Sequence, residues 1–274
     1  MKIDRNLEQL KQRSPLRQRL GKEYYILKRR LQWYFGGQKY AKKKCEDYKK
    51  NVVFEHKSVV LRKLQGVDMQ LQQNKFTNLR LAIAPLNDIV IRPGETFSIW
   101  RLVGRPTAEK GYLDGLILHN GKTTRGVAGG LCQLGNLLFW IFAHSALTIT
   151  ERYRHGFDVF PDVRRTVPFG AGATLSYNYI DLQVKNNTKH TYTISLWLDD
   201  TYLHGKLWCD ESEGCTYDIE ERNHYIDQMP WGGYARHNQI FKIEKRNDGS
   251  KTESLLVENH AIMMYDPFLE SPKK

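Results

Sequence analysis

No apolar run in this chain of 274 residues approaches the roughly 18–20 residues that cross a bilayer. The N-terminus is charged from Lys2 onward and offers no apolar stretch of the kind that marks an export signal. The chain therefore reads as cytoplasmic. Cysteine is scarce: the four, at 45, 132, 209 and 215, are too few and too scattered for a disulfide framework. Cys209 and Cys215 have five residues between them, and no histidine pair stands at zinc-finger spacing. No metal and no cofactor is expected, and without an export signal the Cys209/Cys215 pair is read as reduced. Internal repeats and low-complexity linkers are absent as well.

Acidic residues are rare at one end only. Residues 1–50 hold 16 Lys/Arg against 5 Asp/Glu, whereas the other 224 hold 26 against 25. The net charge of +12 thus belongs to an N-terminal segment, residues 1–50, and the body, residues 51–274, is nearly neutral. With 41% hydrophobic residues, six Trp and fifteen Tyr, the chain has ample material for a core.

Ser14-Pro15 reads as an N-cap followed by proline at the first helical position. Leu16, Leu20, Tyr24, Leu27, Leu31 and Phe35 then recur at helical spacing among Arg17, Arg19, Lys22, Lys28, Arg29 and Arg30, until Gly36-Gly37 stops the helix. Two readings of this basic amphipathic helix stand open. It packs its stripe on the body with a solvated charged face, or residues 15–35 lie on an anionic membrane surface. Nucleic acid is the weaker third reading, since no recognised binding motif accompanies the charge.

Lys39 to Lys50 reads as a solvated connection or helix face. Helices are expected from Ser58 to about Leu71 and from about Phe76 to Leu86. From Ile89 the pattern turns to short strands. Val90-Ile91 and Thr96–Trp100 around Arg92-Pro93-Gly94-Glu95 suggest a hairpin. Leu147–Glu151 reads as a strand and Ala173–Lys185 as a strand pair. Tyr192–Leu198 and Tyr202–Trp208 read as a second hairpin, and residues 216–265 as further short strands. Helices first and strands later give an α+β fold, with a mostly antiparallel β domain and a β extension at the C-terminus.

One stretch carries most of the chemistry. Gly126-Val127-Ala128-Gly129-Gly130-Leu131-Cys132-Gln133 leads into the apolar run Leu137–Ala143, read as a central buried helix that begins near Cys132. A sulfur on the first turn of a helix faces unpaired N–H groups and the positive end of the dipole, both of which favour the thiolate. The N–H groups near Cys132 to Leu134 could also hold an oxyanion. The plain alternative is a small buried cysteine after a glycine turn.

Motifs in sequence order sharpen this. Pro93-Gly94-Glu95-Thr96-Phe97-Ser98, Val103-Gly104-Arg105-Pro106-Thr107-Ala108-Glu109-Lys110-Gly111-Tyr112 and Gly129-Gly130-Leu131-Cys132-Gln133 come first. Glu151-Arg152-Tyr153-Arg154-His155 and Asp181-Leu182-Gln183-Val184-Lys185-Asn186 follow. In combination they resemble the VanW family over roughly residues 58–210, and Asn136-Leu137-Leu138-Phe139-Trp140 resembles its stand-alone members. The resemblance implies a link to peptidoglycan and glycopeptide resistance, and for some proteins with this domain an L,D-transpeptidase-type acyl transfer from a stem peptide to an amine. It maps the family's cysteine onto Cys132 and its downstream histidine onto His155.

One departure stands out. Where many members have Gly-Arg-Asp-Ala-Thr, this chain has Gly170-Ala171-Gly172-Ala173-Thr174, without the acid. Asp158 or Asp181 would have to replace it. The expected catalytic set is therefore Cys132 as nucleophile, His155 as base and Asp181 as acid. Gly129, Gly130, Gln133 and Asn136 are expected to line the substrate, a peptidoglycan peptide or precursor met at the inner membrane face. His144 is read as a core or helix-end histidine and His119 as part of a turn. A non-catalytic protein that holds the same peptide, or a partner protein, is the alternative.

Overall fold

The computed structural model describes residues 14–61, 69–119, 122–159, 166–178, 180–230 and 232–267. Helix α1 (Pro15–Phe35) starts as expected: the Ser14 side chain accepts from the Arg17 N–H, and Gly36 ends it. Its docking face, however, is not the Leu16–Phe35 stripe. Ile26 and Trp33 are buried against the body, whereas Leu16, Leu20, Tyr24, Leu27, Leu31 and Phe35 are exposed. The reading in which the stripe packs inward is overturned, because Ile26, Arg29 and Trp33 recur at helical spacing on a different face.

Lys39–Lys50 is an extended connection and not a helix face, tied by isolated bridges between Tyr40 and Thr96 and between Lys44 and Ile89. Strand β1 (Asn51–Val59) follows, so the helix expected from Ser58 begins in a strand. Most of its remainder, residues 62–68, lies outside the described residues. Helix α2 (Met69–Ile83) then takes the place of the second expected helix, starting earlier and ending before Leu86.

Strands β2 (Ile89–Ile91) and β3 (Thr96–Ser98) flank the expected turn but do not pair with each other. The chain crosses between sheets there and, at Ile99, turns into helix α3 (Ile99–Val103), where the Ser98 hydroxyl accepts from the Arg101 N–H. Strands β4 (Asp114–His119) and β5 (Lys122–Val127) form a hairpin ahead of the cysteine. His119 is the last residue of β4, and residues 120–121 lie outside the described set.

The central helix α4 (Cys132–Ala143) is as expected, with Leu134, Leu137, Leu138, Phe139, Ile141 and Phe142 all buried. Each such side chain contributes about 1.5–3 kcal/mol of burial. The helix packs on β1 and on β10 (Tyr202–Cys209), within a sheet ordered β1-β10-β9-β2, where β9 is Tyr192–Leu198. The β9/β10 hairpin matches expectation. β3, β6 (Thr148–Glu151) and β8 (Gln183–Lys185) make a small second sheet. Of Ala173–Lys185 only Gln183–Lys185 is a strand, with a lone bridge between Ser176 and Ile180.

The C-terminal extension is a meander of long strands, contrary to the short ones expected. β11 (Cys215–Gln228), β12 (Tyr234–Arg246) and β13 (Lys251–Met263) run 14, 13 and 13 residues. β13 also pairs in parallel with β7 (Phe157–Asp158), the short strand that leaves His155. The whole is α+β and mostly antiparallel.

Candidate functional site

Cys132 is the first residue of α4, and its thiol lies 3.9 Å from the Leu175 carbonyl oxygen. Segment 173–175 reaches the helix because α4 has a glycine there. A Cβ on Gly135 would sit 2.7 Å from the Ala173 oxygen and 2.9 Å from Leu175 Cγ. The same segment grips the histidine loop: the Thr174 N–H donates to the Tyr153 oxygen (2.8 Å), and the His155 N–H to Thr174 Oγ1 (3.2 Å). Cys132 and His155 are thus held by adjacent residues of one segment. No hydrogen bond joins the Cys132 and His155 side chains.

Their electrostatics point to a neutral pair. Burial pushes the Cys132 thiol above its ordinary range, and the Arg154 charge offsets only part of this. Burial, with Arg154 adding to it, pulls His155 below its usual range. Its Nδ1 is buried without a hydrogen-bond partner. Burial thus works against the thiolate expected at the helix end.

The expected oxyanion donors are largely engaged. The Gln133 N–H donates to the Gly130 oxygen (3.1 Å) and the Leu134 N–H to the Leu131 oxygen (3.0 Å), since the chain enters α4 through a turn without a side-chain cap. The Gln133 amide points away, donating to Ser58 Oγ and the Val59 oxygen, both at 2.9 Å. Gly129 and Gly130 lie in the approach loop. The Gly129 carbonyl accepts from buried Asn78 Nδ2 at 3.0 Å, and the Gly130 N–H donates to the Leu116 oxygen. Asn136 Oδ1 accepts from the Ala173 N–H at 3.0 Å. A Cβ on Gly172 would meet that same oxygen at 2.2 Å, so Asn136 occupies the space a side chain at 172 would need.

Asp181 belongs to a different cluster. Its carboxylate accepts from Ser98 Oγ (2.5 Å) and from the Trp100 and Leu182 N–H groups (3.2 and 2.9 Å). Burial raises it from 3.8 to about 7. It holds the start of α3 and makes no hydrogen bond to Cys132 or His155. Asp158 lies closer in charge to His155, which it favours in the protonated form, and accepts from Tyr265 (2.9 Å) and Arg236 (3.5 Å).

Sequence reasoning missed Arg152. Its guanidinium donates to the Gly170 and Gly172 oxygens (2.5 and 2.9 Å) and to Asn259 Oδ1 (3.0 Å), and lies 5.1 Å from the Phe139 ring. Burial, with Arg154 nearby, lowers it to about 10. Among the described residues no carboxylate neutralises it. The signal is present in the sequence, since Arg152 and Arg154 stand in the same motif as His155. His144 caps the end of α4 as expected, stacked 3.9 Å from Phe54.

The four cysteines are unbonded. Among the described residues His190, Cys209 and Asp210 bring possible metal-ligand atoms within 4.8 Å of one another. Asp210 already accepts from the Thr191 N–H (3.0 Å), and burial raises the Cys209 thiol to about 12. That set is satisfied internally.

No solved structure matches the chain. The family model described as VanW like protein matches residues 74–208. Vancomycin B-type resistance protein VanW of Enterococcus faecalis is 41% identical over 185 residues, 68% of this chain and 67% of that protein. Uncharacterized protein YoaR of Bacillus subtilis is 34% identical over 117 residues, 42% of this chain and 36% of that one. The chain belongs to the VanW-like family and is related to a vancomycin-resistance protein.

Proposed function

We propose that this VanW-like chain acts on a peptidoglycan peptide by cysteine-dependent acyl transfer, with Cys132 as nucleophile and His155 as base. The observation that carries this reading is the shared anchoring of the Cys132 thiol and the His155 loop on Thr174 and Leu175. A neutral thiol and a neutral imidazole anchored on one segment suit general-base attack and not a preformed ion pair. As Cys132 Sγ bonds to the peptide carbonyl, its proton passes to His155. That proton then leaves on the departing amine. A second amine attacks the thioester, the S–C bond breaks, and the thiol regains a proton. Arg152 and Arg154 give the surroundings a positive character suited to a stem-peptide carboxylate.

Intact-mass analysis of the protein mixed with a stem tetrapeptide and an amine acceptor tests this. A thioester adduct on the native chain and none on Cys132→Ala is expected. Product formed by Cys132→Ala would remove the nucleophile assignment.

A second reading, a non-catalytic protein that holds the same peptide, is favoured by one observation. The Gln133 and Leu134 N–H groups are already bonded to Gly130 and Leu131. Under it, Cys132→Ala binds the stem peptide as tightly as the native chain, and no adduct forms on either.

A further inference from the structure

We infer that α1 is a docking surface for an anionic membrane, with its axis in the plane of the lipid headgroups. The helix has two separate faces. Ile26 and Trp33 are buried, and Arg29 between them pairs with Glu151, so this face fixes the helix to the body. At ~100° per residue, Leu16, Leu20, Tyr24, Leu27, Leu31, Tyr34 and Phe35 fall within a sector of roughly 100° that points away from it. These side chains are between 48% and 81% exposed. So large an apolar stripe in water is costly unless something covers it.

The charges say what covers it. Arg17 and Lys28 flank one side of the apolar sector and Arg19 and Arg30 the other, as expected for a helix that sinks its apolar face between acyl chains and sets its cations among phosphates. Arg30 only grazes Tyr177 Oη, at 3.5 Å. The single acid of the helix, Glu23, is already paired with Arg105 at 2.9 Å. The exposed face is therefore apolar and cationic, with no free acid to repel an anionic surface. A second copy of this chain would bring the same cations against its own, whereas an anionic bilayer complements both features.

Co-sedimentation with vesicles tests this on the full chain. Vesicles of phosphatidylcholine are compared with vesicles holding about 30% phosphatidylglycerol, at low and high salt. The native chain is expected to sediment with the anionic vesicles and to be released by salt. Arg17→Gln/Lys28→Gln should weaken binding roughly fivefold per residue. Leu20→Glu/Leu27→Glu should abolish it, with an unchanged melting temperature because both leucines face solvent. No preference for anionic vesicles in the native chain overturns the proposal, as does undiminished binding by the Leu20→Glu/Leu27→Glu variant. A lipid-free native dimer that this variant dissociates also overturns it, and assigns the face to self-association.

Discussion

Arg29 grips Glu151 with both ends of its guanidinium, at 2.5 and 2.6 Å. One residue lies in the basic N-terminal helix; the other ends the strand that runs into Arg152–His155. Glu151 also accepts from the Asp181 N–H and from Gln183 Nε2, so the pair ties α1 to the small sheet beside the candidate site.

Removing one end of this fork leaves a part-buried carboxylate without its cation. Arg29→Ala is expected to cost about 2 kcal/mol in urea unfolding. Arg29→Lys should fall between, since an ammonium cannot match the bidentate geometry. A midpoint for Arg29→Ala equal to the native value would mean that Ile26 and Trp33 hold the helix alone.

Asp181 makes stability depend on pH. Its carboxyl rises from 3.8 to about 7 on folding, so the folded chain holds a proton that the unfolded chain releases. The resulting stabilisation is full below pH 3.8 and is lost as pH rises to about 7. Asp181→Asn should flatten this part of the profile, measured as melting temperature against pH. A native profile as flat as the variant's would place the titration elsewhere.

Cysteine alkylation separates the four thiols. Without substrate, Cys132 should react more slowly than a free thiol at neutral pH and keep accelerating above pH 9, the ordinary value from which burial raises it. With a stem peptide, the acylation rate should rise with pH below 6.5, as His155 loses its proton. His155→Ala should remove that limb while leaving the alkylation profile above it unchanged. A retained limb would assign the base to another group.

Gly172→Asp restores the acid that many family members carry but drives its Cβ toward Asn136 Oδ1, 2.2 Å away. A cost of about 1–3 kcal/mol is expected from such overpacking. Pairing it with Asn136→Ala should recover part of the loss by clearing the space, at the expense of the Ala173 N–H bond. A double variant no more stable than the single would show that the two positions are not coupled.

The parts of this chain legible in sequence were those set by local pattern. The α1 boundaries followed from Ser14-Pro15 and Gly36, the buried α4 from its unbroken apolar run, and the β9/β10 hairpin from alternation around Asp199-Asp200-Thr201. What failed was set by distant partners. Arg92–Glu95 does form a turn, yet β2 pairs with β9 and β3 with β8, a choice invisible to local alternation. Cys132 does start a helix, but burial holds its thiol above the ordinary range, and the carbonyl that the thiol meets, Leu175, lies some forty residues on in the chain. Asp181, expected in the catalytic set, is instead fully buried at the start of α3, where its partners Ser98 and Trp100 lie some eighty residues back in the chain.

The long C-terminal meander lies beyond the family match, which ends at residue 208, yet it supports the loop that carries His155. The Ile262 and Met264 N–H groups donate to the Gly156 and Asp158 oxygens, Asn259 receives Arg152, and Asn238 Nδ2 reaches the Phe169 oxygen. The recognisable family segment consequently shares its hydrogen bonds with the appended sheet. Cut free at its own boundary, it would lose the hydrogen-bond partners of its arginine and the backbone rail of its histidine loop. A graft or truncation that carries the appended sheet along keeps those partners in place.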